Sequence, residues 1–286
     1  MLQTDEDDGM LSMSILEHLE ELRARIIRAG LGYAAAYLGC VAFAVPLWAW
    51  VQAPLKVAAA QVHAKIAAIG VMEEFSIIYL WSPVVASIFL AAPWVIYQVW
   101  AFIAPGLYPR ERKWAAPFIL STAGLFVAGG LFAYYVALRY SLIFLIGLGQ
   151  PLEIERFVTI DSYFTTFVNV MLGAALAFET PVVVFFLTLL RITTPGFLLR
   201  HSRYAVLAIA VAAAVVTPSP SVFDMAMVAV PMIVLFFLGV FASYLLVLRR
   251  EGQSFPWRAF FVWIGIVMLV VAAGFAIARL GVSLLQ

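Results

Sequence analysis

Phe-Ile-Ala-Pro-Gly-Leu-Tyr-Pro-Arg-Glu-Arg-Lys, from Phe102 to Lys113, is a short polar stretch between two long apolar runs. Pro105 and Gly106 are expected to end the preceding helix, because proline clashes with the turn before it and glycine readily leaves helical space. Four charged residues in a row then follow, with the carboxylate of Glu111 among three cations. Two interpretations are open at this point. The loop recognises a ligand at a membrane surface, or it is only a positively charged loop that sets the topology.

The composition around this loop is that of a membrane protein. Of the 286 residues, 65% are hydrophobic and 12% are charged, whereas soluble domains carry about 25% charged residues. A transmembrane helix needs about 20 apolar residues. Runs that reach or approach this length cover about 27–51, 75–103, 114–148, 163–190, 204–216 and 222–248. These runs predict an all-α polytopic membrane protein with six transmembrane helices, of which the fifth is short.

The composition divides the chain into three parts. Residues 1–13 form an acidic tail with four carboxylates between Asp5 and Asp8, and we expect this tail to be flexible. Residues 14–248 form the predicted membrane domain. Residues 249–286 form a C-terminal extension, whose apolar run at about 255–285 predicts either a seventh transmembrane helix or an interfacial helix.

The distribution of lysine and arginine predicts the orientation. Twelve of the 17 lie on one side of the predicted spans and five on the other. The larger group consists of Arg23, Arg25, Arg28, Arg110, Arg112, Lys113, Arg191, Arg200, Arg203, Arg249, Arg250 and Arg258. By the positive-inside rule this side faces the cytoplasm, so we expect the N-terminus there.

The sequence offers little support for catalysis. All three histidines fall in loops or at helix ends, so haem or metal ligation within a span is not expected. The chain has no Gly-x-Ser-x-Gly segment and no Gly-Lys-Ser/Thr phosphate-binding motif. Its single cysteine, Cys40, excludes an intrachain disulfide, and its basic loops lack the interleaved aromatic residues of a nucleic-acid binder. We predict a protein that is not an enzyme and has no cofactor, metal or nucleic-acid partner.

Two acidic residues lie within the apolar runs. Glu179 is in the middle of the fourth run and precedes Thr180 and Pro181. A charge at mid-membrane depth costs roughly 2.5–3.5 kcal/mol on insertion scales, so such residues face a cavity or a partner and are functional candidates. The alternative is a protonated glutamate that hydrogen-bonds a neighbouring helix. Asp224, near the start of the sixth run, is equally consistent with a helix cap and with a functional group.

Two further carboxylates, Glu21 and Glu111, belong to segments that both end at the predicted cytoplasmic surface. A carboxylate binds a guanidinium group through two parallel hydrogen bonds, so two separate carboxylates are suited to two arginines. Local pairing is the alternative, with Glu21 bound to Arg25 and Glu111 bound to its flanking arginines. Spacing alone favours local pairing.

These carboxylates stand in two long motifs. The first is His18-Leu-Glu-Glu-Leu-Arg-Ala-Arg25, and the second is Tyr97-Gln-Val-Trp-Ala-Phe-Ile-Ala-Pro-Gly-Leu-Tyr108 followed by Glu111-Arg112. Together with Phe-Glu-Thr-Pro at 178–181 and Ile-Thr-Thr-Pro at 192–195, they closely resemble the TatC family. TatC is the multispanning receptor subunit of the twin-arginine protein translocase. The resemblance covers about Ile15 to Leu248.

The resemblance implies six spans in a concave bundle and binding of folded precursor proteins by their twin-arginine signal peptides. Carried over by position, Glu21 and Glu111 would hold the two signal arginines, and Glu179 would face the concavity. The residues that would shape the signal-peptide site are Arg23, Arg25, Phe102, Pro105, Leu107, Tyr108 and Arg112. For Glu21 and Glu111 the resemblance shifts the balance from local pairing to function.

The resemblance also implies the setting of the protein. Expected partners are single-span TatA/TatB-type subunits, twin-arginine precursor proteins, membrane lipid and further copies of the chain in a receptor complex. Transport in the family draws on the proton gradient, which agrees with the missing nucleotide motif. The expected location is the bacterial or archaeal cytoplasmic (inner) membrane, with the short fifth span offering an edge to a partner helix.

Two departures from the family pattern affect these expectations. After Pro218 the chain has one residue more than many members, and Met225 falls near the position of a family glutamine. Asp224 is therefore the candidate replacement for the polar group expected beside Glu179. The segment 255–286 extends past the usual end, and its role is unassigned.

A protein of a different class stays as the alternative: a proton-coupled small-solute transporter that uses Glu179 as its protonation site. Such transporters usually contain inverted repeats and paired broken helices. The sequence shows neither feature, so we predict a receptor.

Overall fold

The computed structural model describes residues 15–61, 65–67, 70–104, 115–147, 157–217 and 221–251, together with residues 261, 262, 265 and 269. The acidic tail, the charged part of the loop that follows Ala104 and almost all of the C-terminal extension lie outside the described residues. The three-part division of the chain and the choice between a seventh span and an interfacial helix therefore stay predictions.

Helices dominate the described residues, as the sequence predicts. The first half of the chain forms α1 (Ile15–Ala42), α2 (Ala44–Val51), α3 (Ala53–Gln61), α4 (Val71–Ser76), α5 (Ser82–Ile103), α6 (Ala115–Phe132) and α7 (Leu138–Gly147). The second half forms α8 (Ile160–Ala177), α9 (Thr180–Leu189), α10 (Pro195–Arg200), α11 (Ser202–Val216) and α12 (Val222–Glu251). π-Helical turns at Ile77–Trp81 and Ala133–Ala137 join α4 to α5 and α6 to α7. Two strands, β1 (Lys65–Ala67) and β2 (Phe157–Thr159), complete the described elements.

Four helical runs are long and apolar enough to cross a bilayer: Val71–Ile103, Pro117–Leu145, Ile160–Leu189 and Asp224–Leu248. A bent pair, Leu16–Ala42 with Ala44–Gln61, adds one more if it forms a single span. Helix α11 is apolar but has only 15 residues. The all-α polytopic architecture is thus confirmed, whereas the count of six spans and the side of the N-terminus stay predictions.

The first apolar run is not one straight helix over 27–51. Helix α1 ends at Ala42, and the α2–α3 segment leaves it at an angle of 86°. Pro46 lies in the first turn of α2, where its missing N–H costs nothing because the first N–H groups of a helix have no partner within it. We call the side of the molecule that carries α2 and α3 the trans side, and the side where α1 begins the cis side.

Two tyrosines tie this angled segment to later helices. The Tyr134 hydroxyl donates to the carbonyl of Trp50 at 2.8 Å, and its ring stacks on the Trp50 indole with centroids 3.9 Å apart. The hydroxyl of Tyr163, a fully buried residue, donates to the carbonyl of Val51. The last carbonyls of a helix have no intrahelical partner, so these two bonds satisfy the C-terminal end of α2.

A short parallel pair of strands on the trans side was not predicted from the sequence. Lys65, Ile66 and Ala67 lie opposite Phe157, Val158 and Thr159. Both segments lie between predicted spans. They are more than 90 residues apart in the chain, and three-residue strands are too short to leave an alternating pattern. Only the fold brings them together.

Two glycines allow another helix to approach with its backbone. A Cβ atom on Gly129 of α6 would lie 2.7 Å from the carbonyl oxygen of Ala174 in α8. A Cβ atom on Gly239 of α12 would lie 2.6 Å from the Cα of Pro181 in α9. Both contacts are with backbone, which cannot rotate away as a side chain can. They hold α6 and α12 against the fourth span, on the two sides of the break between α8 and α9.

Replacement of Gly129 by valine is expected to destabilise the protein by about 1–3 kcal/mol, because overpacking against backbone forces helices apart. Gly124→Val is the matched control, since Gly124 lies on the same helix and a Cβ there meets nothing within 4 Å. The change in helix propensity from glycine to valine is shared by both variants. Thermal unfolding in detergent measures the difference. Equal melting temperatures for the two variants would contradict the close contact.

Candidate functional site

Glu21 lies on α1 near the cis end, in a partly buried position. Its Oε1 atom forms a salt bridge with Nη2 of Arg25 at 3.2 Å, which is the local pairing that the spacing predicts. Its Oε2 atom is buried and has no hydrogen-bond partner among the described residues. One carboxylate oxygen is therefore committed to Arg25, and the other is left for a further donor.

Helix α5 holds Arg25 in place. The Nη1 atom of Arg25 donates to Oε1 of Gln98 at 3.2 Å, and Gln98 is only 2% exposed. One turn away, the indole N–H of Trp94 donates to the carbonyl of Arg28 at 2.9 Å. These contacts fix α1 on α5, and they therefore fix the position of the Glu21 carboxylate.

Phe102 brings the end of α5 to the same place. Its ring stacks on the ring of His18, with centroids 4.4 Å apart and an interplanar angle of 18°. The last turn of α5 thus lies beside the first turns of α1. The description of this segment stops at Ala104, so the loop that follows starts at the same cis surface as Glu21.

The structure describes four of the nine predicted signal-peptide residues. It brings Glu21, Arg25 and Phe102 to one end of the α1–α5 pair, while Arg23 is exposed to solvent on α1. The other predicted members are outside the described residues: Pro105, Leu107, Tyr108, Glu111 and Arg112. The pairing of Glu21 with Glu111 in one site therefore stays a prediction.

A groove of about 780 Å³ opens beside this site, between α1, α5, α6 and α9. It begins next to the salt bridge, at Ile26 and Val99, and its walls are almost wholly apolar. Glu179 is the single carboxylate among the described residues that line it. This groove, called the cis groove below, gives the cis half of the molecule a concave face, and Glu179 lies on its wall.

Glu179 occupies a break in the fourth span that the apolar run itself does not reveal. Helix α8 ends at Ala177, and α9 begins at Thr180 with Pro181 in its first turn. The backbone carbonyl of Glu179 accepts the N–H groups of Val182 and Val183, both at 3.0 Å. The side-chain Oε1 is buried without a hydrogen-bond partner among the described residues. A hydrogen bond from Glu179 to a neighbouring helix, the alternative considered above, is not found in that part of the chain.

Asp224 does not join Glu179 in one polar cluster. It lies in the first turn of α12 and is 2% exposed. The helix meets Pro181, two residues after Glu179, at Gly239. Gly239 is 15 residues beyond Asp224, and a helix rises about 1.5 Å per residue, so roughly 22 Å of helix separates Asp224 from that level. The geometry does not support Asp224 as the replacement for a polar group beside Glu179.

Gln98 is the site residue to which the sequence did not assign a role. A signal was present, because an amide inside an apolar run is costly to bury and indicates a partner. The partner, Arg25, is 73 residues away in the chain. Only the packing of α1 on α5 identifies the pair.

The chemistry available at this site is recognition of charge. Among the described residues, no group of three or more His, Cys, Asp or Glu side chains is placed to hold a metal ion. A carboxylate whose buried oxygen has no hydrogen-bond partner among the described residues suits a cationic hydrogen-bond donor. The adjacent groove suits an apolar segment.

Comparison with known proteins agrees with the sequence motifs. Residues 17–231 match the family described as Sec-independent protein translocase protein (TatC). The TatC protein of Koribacter versatilis is 39% identical over 254 residues, which cover 86% of this chain and 93% of that relative. The TatC protein of Deinococcus radiodurans is 34% identical over 254 residues, which cover 86% of this chain and 92% of that relative.

The fold agrees with the sequence comparison. A crystal structure of the twin-arginine translocase receptor TatC superposes with a TM-score of 0.68 and 27% sequence identity, covering 80% of this chain and 99% of that chain. The motifs around Glu21 and Phe102, the several apolar helices and these relatives lead to one conclusion. The chain belongs to the TatC family and is a membrane component of the twin-arginine (Sec-independent) protein translocase.

Proposed function

We propose that this chain is the core receptor subunit of its translocase and binds the twin-arginine signal peptides of folded precursor proteins at the cis surface. Glu21 and Glu111 hold the two signal arginines. The residues that shape the surface around them are Arg23, Arg25, Phe102, Pro105, Leu107, Tyr108 and Arg112. The related crystal structure is described as a translocase receptor, and receptors of this kind bind and transport proteins rather than catalyse a reaction.

The buried oxygen of Glu21 is the observation that carries this proposal. A buried carboxylate oxygen without a hydrogen bond is unfavourable, so the position is suited to a ligand that donates one. Arg25 holds the other oxygen and Gln98 holds Arg25. The carboxylate is therefore already in place, and little side-chain freedom is lost when a ligand binds.

The same geometry favours arginine over lysine. A guanidinium group stays protonated, presents five N–H donors in a planar fork and is weakly hydrated. An ammonium group is a compact, strongly hydrated charge, and it has to give up more water to reach the buried oxygen of Glu21. Because Arg25 already balances Glu21, two ligand arginines need a second carboxylate nearby. Glu111, on the loop that starts beside His18 and Phe102, is the residue proposed for that role.

The wider setting is proposed from the family. Partners are single-span TatA/TatB-type subunits, precursor proteins, membrane lipid and other copies of this chain, and transport uses the proton gradient. The membrane is a bacterial or archaeal cytoplasmic (inner) membrane, with the N-terminus and the cis side in the cytoplasm. Support for a single-span partner comes from α11, which is short and exposes one apolar face formed by Tyr204, Leu207, Val211 and Val215. The small-solute transporter alternative is not favoured, because the relatives are protein translocase subunits.

Glu21→Gln is expected to weaken binding of a twin-arginine signal peptide at least ten-fold. The change keeps the shape of the side chain but removes its charge, and a hydrogen bond to a charged group contributes about 1.5–3 kcal/mol. The preference for a twin-arginine over a twin-lysine peptide should fall as well. Fluorescence anisotropy with labelled peptides and the purified protein in nanodiscs measures both affinities.

Glu20→Gln is the matched control for this experiment. Glu20 is the neighbouring carboxylate on the same helix, and it is exposed, so its loss should leave the peptide preference unchanged. An equal effect of the two substitutions would mean that only the general negative charge matters. That result would contradict the specific role of Glu21.

Glu111→Ala is expected to abolish export of a twin-arginine substrate, because the second signal arginine loses its carboxylate. Export is measured as the appearance of processed substrate outside the cytoplasm, and immunoblotting of membranes checks that the variant still inserts. Normal export by an inserted variant would remove Glu111 from the proposed site.

Glu179→Gln is expected to retain more export activity than Glu179→Leu. Glutamine keeps a hydrogen-bonding group at this position on the wall of the cis groove, whereas leucine removes it. The same export assay compares the two variants at matched expression. Equal activities would argue that transport does not use a polar contact at this position.

A further inference from the structure

A second groove, of about 610 Å³, lies in the trans half of the molecule between the α4–α5 run and α8. Its mouth is formed by Glu73 in the first turn of α4, by Ser76 at the end of α4 and by Asp161 in the first turn of α8. No lysine or arginine is among the described residues that line it. It differs from the cis groove, where Glu179 is the only acidic residue among the described residues of a largely apolar wall.

A row of polar side chains leads from this mouth into the membrane. Asp161, Thr165 and Asn169 follow each other at intervals of four residues, so they share one face of α8, and all three are exposed on it and line the groove. Asn169 is eight residues beyond Asp161, which corresponds to a depth of roughly 12 Å at 1.5 Å per residue. The amide of Asn169 forms no hydrogen bond within the described parts of the chain, although it lies in an apolar span.

An occupant of this groove has to form hydrogen bonds well below the membrane surface. A side-chain amide left in hydrocarbon without a partner costs several kcal/mol, and polar groups at such depth face a cavity or a partner. A lipid tail offers no hydrogen bond to Asn169 or Thr165. Water does, and the groove has room for on the order of 20 water molecules at about 30 Å³ each.

The polar row ends in an apolar floor. Further along the same face of α8, Leu172 lines the trans groove and Leu176 lines the cis groove, and Ile88 of α5 lines both. Glu179 follows on the cis side of this floor. The two grooves are thus halves of one concave face, and a small set of aliphatic side chains separates them.

We propose that the trans groove is a water-filled vestibule that brings water from the trans side to the level of Asn169 and stops at the floor formed by Ile88, Leu172 and Leu176. The carboxylates at its mouth make this water more accessible to cations than to anions. With water in the vestibule, only the floor separates water on the trans side from the groove wall that carries Glu179. This proposal goes beyond signal-peptide binding and does not depend on it.

Thiol labelling tests this vestibule directly. Cys40 is the only cysteine, so Cys40→Ala provides a clean background for Thr165→Cys, Asn169→Cys and Leu176→Cys. Ala35→Cys is the matched control at similar depth, because Ala35 is exposed seven residues before the trans end of α1. It lies between Leu31 and Leu38, which are 66% and 69% exposed on an apolar face. Membrane-impermeant cationic and anionic methanethiosulfonate reagents are added to the trans side of sealed membranes.

The expected result is labelling of Thr165→Cys and Asn169→Cys at least ten-fold faster than Ala35→Cys, with no labelling of Leu176→Cys from the trans side. The cationic reagent should react at least three-fold faster than the anionic one, and Asp161→Asn should reduce that ratio. Insertion and thermal unfolding of each variant are checked in parallel. Thr165→Cys is the second probe of the groove if Asn169→Cys does not fold.

Several results would overturn the proposal. Rates at Thr165→Cys and Asn169→Cys equal to the rate at Ala35→Cys would show that the groove is dry. Labelling of Leu176→Cys from the trans side would show that no floor exists. Labelling of the groove only from the cis side would show that the groove does not open to water on the trans side. That result would leave the peptide-binding results at Glu21 unaffected.

Discussion

The structure depends most on two backbone contacts at the fourth span, Gly129 against Ala174 and Gly239 against Pro181. Lipid tails are as apolar as leucine side chains, so apolar helices gain little by leaving lipid, and close packing of small residues has to hold them together. These two contacts bring α6 and α12 against α8 and α9 on the two sides of the break at residues 178–179. The break is thereby held within the protein, and Glu179 lines the groove.

The pair formed by α1 and α5 is held in a different way. Three hydrogen bonds link these helices: Arg25 to Gln98, Trp94 to the carbonyl of Arg28, and the Tyr33 hydroxyl to the carbonyl of Val84. Hydrogen bonds are stronger in an environment of low dielectric constant than in water, so a few of them can hold a helix whose opposite face is exposed. The same bonds place the Glu21 carboxylate. The proposed recognition surface and the attachment of α1 therefore depend on the same interactions.

The concave face carries polar groups from both halves of the molecule. Glu21 lies at its cis end, Glu179 on the wall of the cis groove, and Asp161 and Asn169 in the trans groove. Polar groups are thus placed at three levels, with apolar side chains between them. For the proposed receptor, such spacing suits the binding of charged and apolar segments of one peptide.

The sequence by itself determined the helical class, the positions of the apolar runs and the family. Hydropathy is a local property, and a backbone within a membrane has to satisfy its hydrogen bonds within the segment, which leaves the helix as the structure for each run. The motif around Glu21 and the polar residue Glu179 were also visible locally, as was the salt bridge between Glu21 and Arg25.

The tertiary structure alone decided which helix faces pack against each other. In a soluble helix the buried face is apolar and the exposed face is polar, but in a membrane both faces are apolar, so periodicity does not identify neighbours. For this reason the sequence did not predict the partnership of Arg25 with Gln98, the pairing of β1 with β2, or the angled segment after Phe43. It also left Asp224 as a candidate neighbour of Glu179, and only the contact of Gly239 with Pro181 separated the two. Each of these features depends on contacts between residues far apart in the chain, and local pattern carries no information about them.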